Sequence, residues 1–353
     1  MQIDFHHAVT YVTARLAGFD QKDANTVSTA AQYVDDATTK GVVSFDNRAM
    51  YVRTSSAHTM LDRSNMDNAK NMLVWLPFHF LPGNGGLAPG KDPRGTFIEK
   101  IICLPGEDEK TGKRNFIAED MIEAVLAVRS KDNALHRLGI TLHVYGDTWA
   151  HQGFAGVRHA VNDVKKMTES SKPQIAGILD PLIPNVGHGQ AKMIPDMPFG
   201  VWEYRNGRDE IIQRNNLPDF CAAAEAMYHA MVRFKTGCDA ATAAKSPLPA
   251  DDMEVIRQLF SELKEVEGEK RHGKWLNAIA EGRFSFGEDT ISYAARGEKS
   301  WKAMALGTSD ERKEYHYEPD FLTSDWKFFH DALQQHWSSL VHDIFPQYGI
   351  CAG

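Results

Sequence analysis

The stretch LHVYGDTWAHQGF, residues 142–154, decides how the chain is read. It sets His143, Asp147 and His151 at steps of four in an otherwise apolar, helix-forming run. Each four-residue step on an α-helix turns the side chain by about 40°, so all three project to one side. The rise from His143 to His151 is about 12 Å, whereas metal–ligand bonds are about 2.0–2.2 Å. One ion can therefore take an adjacent pair but not both histidines. Asp147, in the middle, can offer one oxygen to each of two ions, and the spacing predicts a paired site with ions about 3.5–4 Å apart. Left without partners, three polar groups on a buried helix face would be costly.

Working outward, further histidines and aspartates offer donors. DFHH (residues 4–7) opens the first predicted helix with His6 and His7. Consecutive helical residues diverge by about 100°, so the two do not serve one ion equally. QYVDDA (32–37) ends the second helix with Asp35 and Asp36, and His58 follows in SSAHTML. His79 stands between Phe78 and Phe80, where it reads as packing or as a ligand or catalytic group. His188 lies between two glycines, where backbone can approach closely. Asp196 follows Pro195 in a stiff bend. His159 and Asp163, spaced HxxxD, are an alternative to His188 and Asp196. The candidate metal set is thus His6, His7, Asp36, His58, His143, Asp147, His151, His188 and Asp196, with Asp35, Asp36 and His79 as candidate catalytic groups. The four cysteines (Cys103, Cys221, Cys238, Cys351) form no CxxC pair. A His/Asp donor set suits zinc, with iron, manganese or cobalt as alternatives.

Apolar periodicity predicts helices over residues 6–19, 23–38, 120–129, 133–154, 219–235, 251–267 and 325–344. A tight turn at Asn206-Gly207 predicts a small β-hairpin within 201–213, and 96–104 reads as a short strand. Gly/Pro loops cover 77–95 and 181–198. The expected fold is mainly α, one helical domain over 1–353 with long loops. PLPAD (247–251) permits a division into a metal-site region, 1–246, and a C-terminal helical region, 247–353. His330, His336 and His342 read as solvated positions on the last helix. The chain has 353 residues, 42% hydrophobic and 24% charged, which excludes disordered and collagen-like classes. A net charge of −8 makes nucleic acid a poor partner, no run is long enough to span a membrane, and the start carries no signal-peptide pattern. The expectation is a cytoplasmic protein acting on a small-molecule or lipid-like substrate; oligomeric state is not legible.

With these residues in hand, two resemblances can be stated. The order of donors (an N-terminal histidine, an aspartate near 35, a histidine, HxxxD on a central helix, then further His and Asp) resembles that of zinc-dependent phospholipase C and the related fungal zinc nucleases. That resemblance implies an all-helical fold and three metals in a cleft. It matches His143 and Asp147 to the HxxxD, whose aspartate bridges two ions. It matches Asp35 or Asp36 to the early aspartate, His58 to the next histidine, His6 or His7 to the N-terminal ligand and His151 to the histidine after HxxxD. His159 and Asp163 match the final pair in spacing, with His188 and Asp196 a looser substitute. Those enzymes also use a freed N-terminal amine as a ligand; here Met1 precedes a bulky Gln2, is expected to be retained, and Asp4 is the nearest replacement. Separately, DFHH, QYVDDA, WLPFHFLPGNGG, the 135–154 helix and GHG with PDMPF resemble an uncharacterised bacterial family of unknown function over about residues 1–235.

The chemistry these donors suit is metal-assisted hydrolysis, of a phosphoester by the resemblance, with two or three zinc ions. One of Asp35 and Asp36 would accept the proton of the attacking water, and His79 would serve as general acid or substrate contact. Trp149, Phe154, Phe199 and Trp202 would line an apolar cleft or form core. Two other classes remain open: a helical di-iron oxidase, against which the thin supply of nearby glutamates weighs, and a non-catalytic, metal-stabilised binding or toxin-like module.

Overall fold

A computed structural model describes residues 1–59, 62–92, 94–108, 111–169 and 184–352. A π-helical turn, Asp4–Val9, runs directly into α1 (Thr10–Leu16), and Gly18 at φ 88° lets the chain turn back. The N-cap Asp20 side chain accepts the amide of Asp23 and starts α2 (Gln21–Asp36). Next come a hairpin of β1 (Gly41–Ser44) and β2 (Met50–Arg53), then α3 (Asn68–Phe78) and α4 (Phe97–Ile101). A second small hairpin, β3 (Glu107–Asp108) and β4 (Lys113–Arg114), precedes α5 (Phe116–Leu126) and the central helix α6 (Ala134–Ala150). β5 (Lys165–Glu169), β6 (Val201–Arg205) and β7 (Ile211–Asn215) form an antiparallel sheet in sequence order. The chain then continues through α7 (Asn216–Thr236), α8 (Ala240–Ala243), α9 (Ala250–Glu262), α10 (Gly268–Ala280), α11 (Trp301–Leu306) and α12 (Asp325–Ser338), which passes into a π-helical Ser339–Ile344.

The mainly helical expectation holds, and the small hairpin is present as β6–β7. α6 is the hub. Its residues are buried except Leu135 and Tyr145, and α2, α3, α5, α7 and α12 all pack on it. The contact with α2 is close because Gly139 has no Cβ. One built there would stand 2.3 Å from the Val27 carbonyl oxygen and 2.7 Å from Ala30 Cβ. One turn on, this proximity brings His143 Nδ1 to within 2.8 Å of the Ala31 carbonyl oxygen on α2.

Three expectations are corrected. Residues 96–104 are not a strand: Ile98 and Ile101, three apart, bury one face of the short helix α4, and only isolated bridges at Ile102 and Cys103 follow. α6 stops at Ala150 rather than continuing to 154, so His151 is its C-cap with φ −94° and ψ 8°. His330 and His336 are not solvated. Both are buried, their rings bonded to the carbonyl oxygens of Thr54 and Pro77. Of the loop at 181–198, residues 181–183 lie outside the described residues.

Gly139→Ala tests the close approach. Ala is the better helix former by about 1 kcal/mol, yet the clash with Val27 and Ala30 is expected to leave a net destabilisation of about 1–3 kcal/mol by urea denaturation. A stabilised variant would contradict the packing account.

Candidate metal centre

Three triads of donor atoms converge along the C-terminal half of α6: His6, His143 and Asp147; Asp35, His79 and His143; and His151, His188 and Asp196. Within each, the donor atoms lie within 4.8 Å of one another. The elements that deliver them come from across the sequence. The π-helical turn supplies His6, while His7, the next residue, bonds His272 instead. The last turn of α2 supplies Asp35, the C-cap of α3 supplies His79, and α6 with its C-cap supplies His143, Asp147 and His151. His188 arrives because Gly187, at φ 53°, has no side chain; a Cβ there would stand 2.1 Å from the Phe80 ring.

Asp147, 1% exposed, is the shared group. Its Oδ1 lies 3.2 Å from His6 Nε2 and 2.5 Å from the Met1 amino nitrogen. Its Oδ2 lies 3.3 Å from His143 Nε2 and 3.4 Å from His79 Nδ1. Met1 N is also 3.1 Å from Asp196 Oδ1. Burial alone would raise the Asp147 carboxyl, but His151, the Met1 ammonium, His143 and His6 hold it well below the carboxylate range. Burial would likewise lower the Met1 amine; Asp147, Asp196 and Asp35 reverse this and push it up to about 11. Burial, opposed by His79 and reinforced by Asp147, pushes Asp35 up to about 7.

The imidazole orientations are the most informative feature. His143 Nδ1 meets the Ala31 carbonyl at 2.8 Å, His151 Nδ1 the His79 carbonyl at 2.7 Å, His188 Nδ1 the Lys192 carbonyl at 2.8 Å, and His79 Nε2 the Ser56 carbonyl at 3.1 Å. A carbonyl oxygen only accepts, so each of these nitrogens carries the ring proton. In the neutral imidazole the other nitrogen is then a bare lone pair. All four bare nitrogens face the cluster, and His143 Nε2 and His79 Nδ1 face each other at 3.2 Å. His6 makes no aligned hydrogen bond through either ring nitrogen, and Asp147 Oδ2 is buried without one. Lone pairs and carboxylates brought together in a dry site call for cations, and backbone carbonyls orienting histidine ligands from behind are the usual second layer of a metal site. One imidazole nitrogen holds one ion, so His143 serves only one of the two triads that contain it.

The other expected residues fall outside these triads. His7 Nδ1 bonds His272 Nε2 at 2.9 Å. Asp36 turns away, accepting from the Tyr293 hydroxyl at 2.6 Å. His58 borders the central cavity, 3.8 Å from Asp62, and belongs to none of the triads; the histidine that stands with Asp35 is His79. His79 thus stands among the donor groups, the ligand alternative that the sequence left open. Asp163 accepts from Asn185, and His159 Nδ1 accepts the Val161 amide. Asp4 is held by Arg271 and does not replace the amine, which itself lies in the site. Trp149, Phe154, Phe199 and Trp202 are buried core. A cavity of about 300 Å³ opens on the triads, and its apolar wall is Trp75, Phe80, Pro184 and Val186.

A family model matches residues 1–344. The chain belongs to a family described as a family of unknown function (DUF6765). The likeness read from residues 1–235 therefore extends through α12. No curated protein and no solved structure matches the chain.

Zinc is expected to stabilise the DUF6765 chain by about 2.7 kcal/mol at a hundredfold excess over Kd, by binding the folded state alone. Thermal denaturation with and without chelator reads this. His143→Ala is expected to lose most of the shift; a shift equal to wild type would remove His143 from the donor set.

Proposed function

We propose that the chain is a metal-dependent hydrolase of phosphoesters, built on a two- or three-ion site with zinc as the first candidate. The observation that carries the reading is the set of four imidazoles whose bare nitrogens converge on Asp35, Asp147 and Asp196. His151, His188 and Asp196 would hold one ion; Asp35, His79 and His143 a second. His6 and Asp147 would contribute to a third. Divalent ions in such a site lower the pKa of water toward 7 and neutralise charge on a phosphoryl group.

The chain's own groups supply the rest. Asp35 is the one donor carboxylate a third exposed, at the cavity edge. It is placed to accept the proton of the attacking water. Asp147, enclosed by α6 and the π-helical turn, keeps the donor triads in fixed relation and stays ionised. The Trp75–Phe80 wall excludes water and takes the organic part of the substrate. No glutamate enters the triads among the described residues, which weighs against the carboxylate-rich di-iron alternative.

The test is hydrolysis of chromogenic phosphate mono- and diesters by zinc-loaded protein. Asp35→Asn is expected to lower kcat by about 10²–10⁴-fold while leaving the ion at His151, His188 and Asp196 in place. Tightly bound metal without turnover over mono-, di- and triesters would favour the non-catalytic module; iron with oxygen consumption would favour the oxidase.

A further inference from the structure

The chain's opening, Met1 to His6, enters the centre beside Asp147, where His6 Nε2 lies 3.2 Å from Oδ1. One side chain outside the donor set holds that opening from behind. Arg271, on α10, is fully buried and uses every guanidinium donor. Its Nε and one terminal nitrogen grip both oxygens of Asp4, at 2.6 and 2.9 Å. That terminal nitrogen also donates to Gln2 Oε1 at 2.8 Å, and the other donates to the carbonyl oxygens of Glu265 and Val266. The guanidinium carbon lies 6.0 Å from the Phe199 ring, three residues beyond Asp196. Alongside, Gly268 opens α10 against Gln2: a Cβ there would stand 2.6 Å from Gln2 Oε1.

We propose that Arg271 is a positioning residue that anchors the opening turn and sets how firmly the ion at His6 is held. This rests on the metal reading above. Gln2 and Asp4 lie just ahead of His6, at the start of the turn that carries it, and no other charged side chain bonds either of them among the described residues. Loosening the grip moves His6 and the Met1 nitrogen relative to Asp147. His151, His188 and Asp196 keep their own supports, the carbonyls of His79 and Lys192. One ion should therefore weaken selectively. A merely structural arginine would lower stability without separating the ions.

The experiment is zinc binding to the full chain by equilibrium dialysis with elemental analysis, for wild type, Arg271→Lys and Gly268→Ala. Lysine keeps the charge but loses the two-point grip on Asp4; the glycine variant displaces Gln2 and leaves Arg271 intact. Both are expected to weaken one ion by about tenfold or more, the range seen for outer supports of metal ligands, with the remaining ions unchanged. Equal weakening of every ion, or unchanged affinity in both variants, overturns the proposal. If Arg271→Lys does not fold, Gly268→Ala decides by the same reading. A wild-type chain that takes up no zinc overturns the metal reading itself, and the wild-type titration shows this before any variant is compared.

Discussion

A carboxylate buried in the last turn of the central helix sets the terms for everything around it. Asp147 is 1% exposed, and an ionised carboxylate in that position is tolerated only if positive charge or donors surround it. Four segments meet that demand from different sides: the opening turn, the end of α2, the cap of α3 and the cap of α6. Helix packing brings them together. Gly139 lets α2 lie against α6, which both delivers Asp35 and supplies the carbonyl that orients His143.

The orientation of the rings makes the cluster more than a set of polar core residues. Buried histidines elsewhere in the chain show the contrast. His336 bonds the Pro77 carbonyl through one nitrogen, and its other nitrogen lies 3.5 Å from the Thr141 hydroxyl. Such a histidine is satisfied within the core. At the cluster, the backbone takes the proton of each ring and leaves the opposite nitrogens facing one another and the carboxylates. That arrangement is unfavourable for a neutral core and well suited to cations.

The sequence showed the central helix and its HxxxD clearly, because both donors lie on one regular element where spacing converts directly into geometry. It showed less where donors come from irregular backbone. His6 and His7 could not be separated without the π-helical turn, nor Asp35 and Asp36 without the last turn of α2. His79 was hidden by its aromatic neighbours, which suggest packing, so His58 stood in its place. His188 and Asp196 depend on loops whose approach is decided by Gly187 and the Phe80 ring, a contact between segments more than a hundred residues apart. Arg271 left no trace in the sequence, since nothing near it in the chain marks a partner in the opening residues.

The account stands or falls on metal occupying the triads. The most direct measurement is diffraction from zinc-loaded crystals at the metal absorption edge, with elemental analysis of the same protein. The account predicts anomalous peaks between His151, His188 and Asp196, and beside Asp147 within reach of His143. Protein that retains no divalent metal, or peaks only at sites away from Asp147, would contradict it.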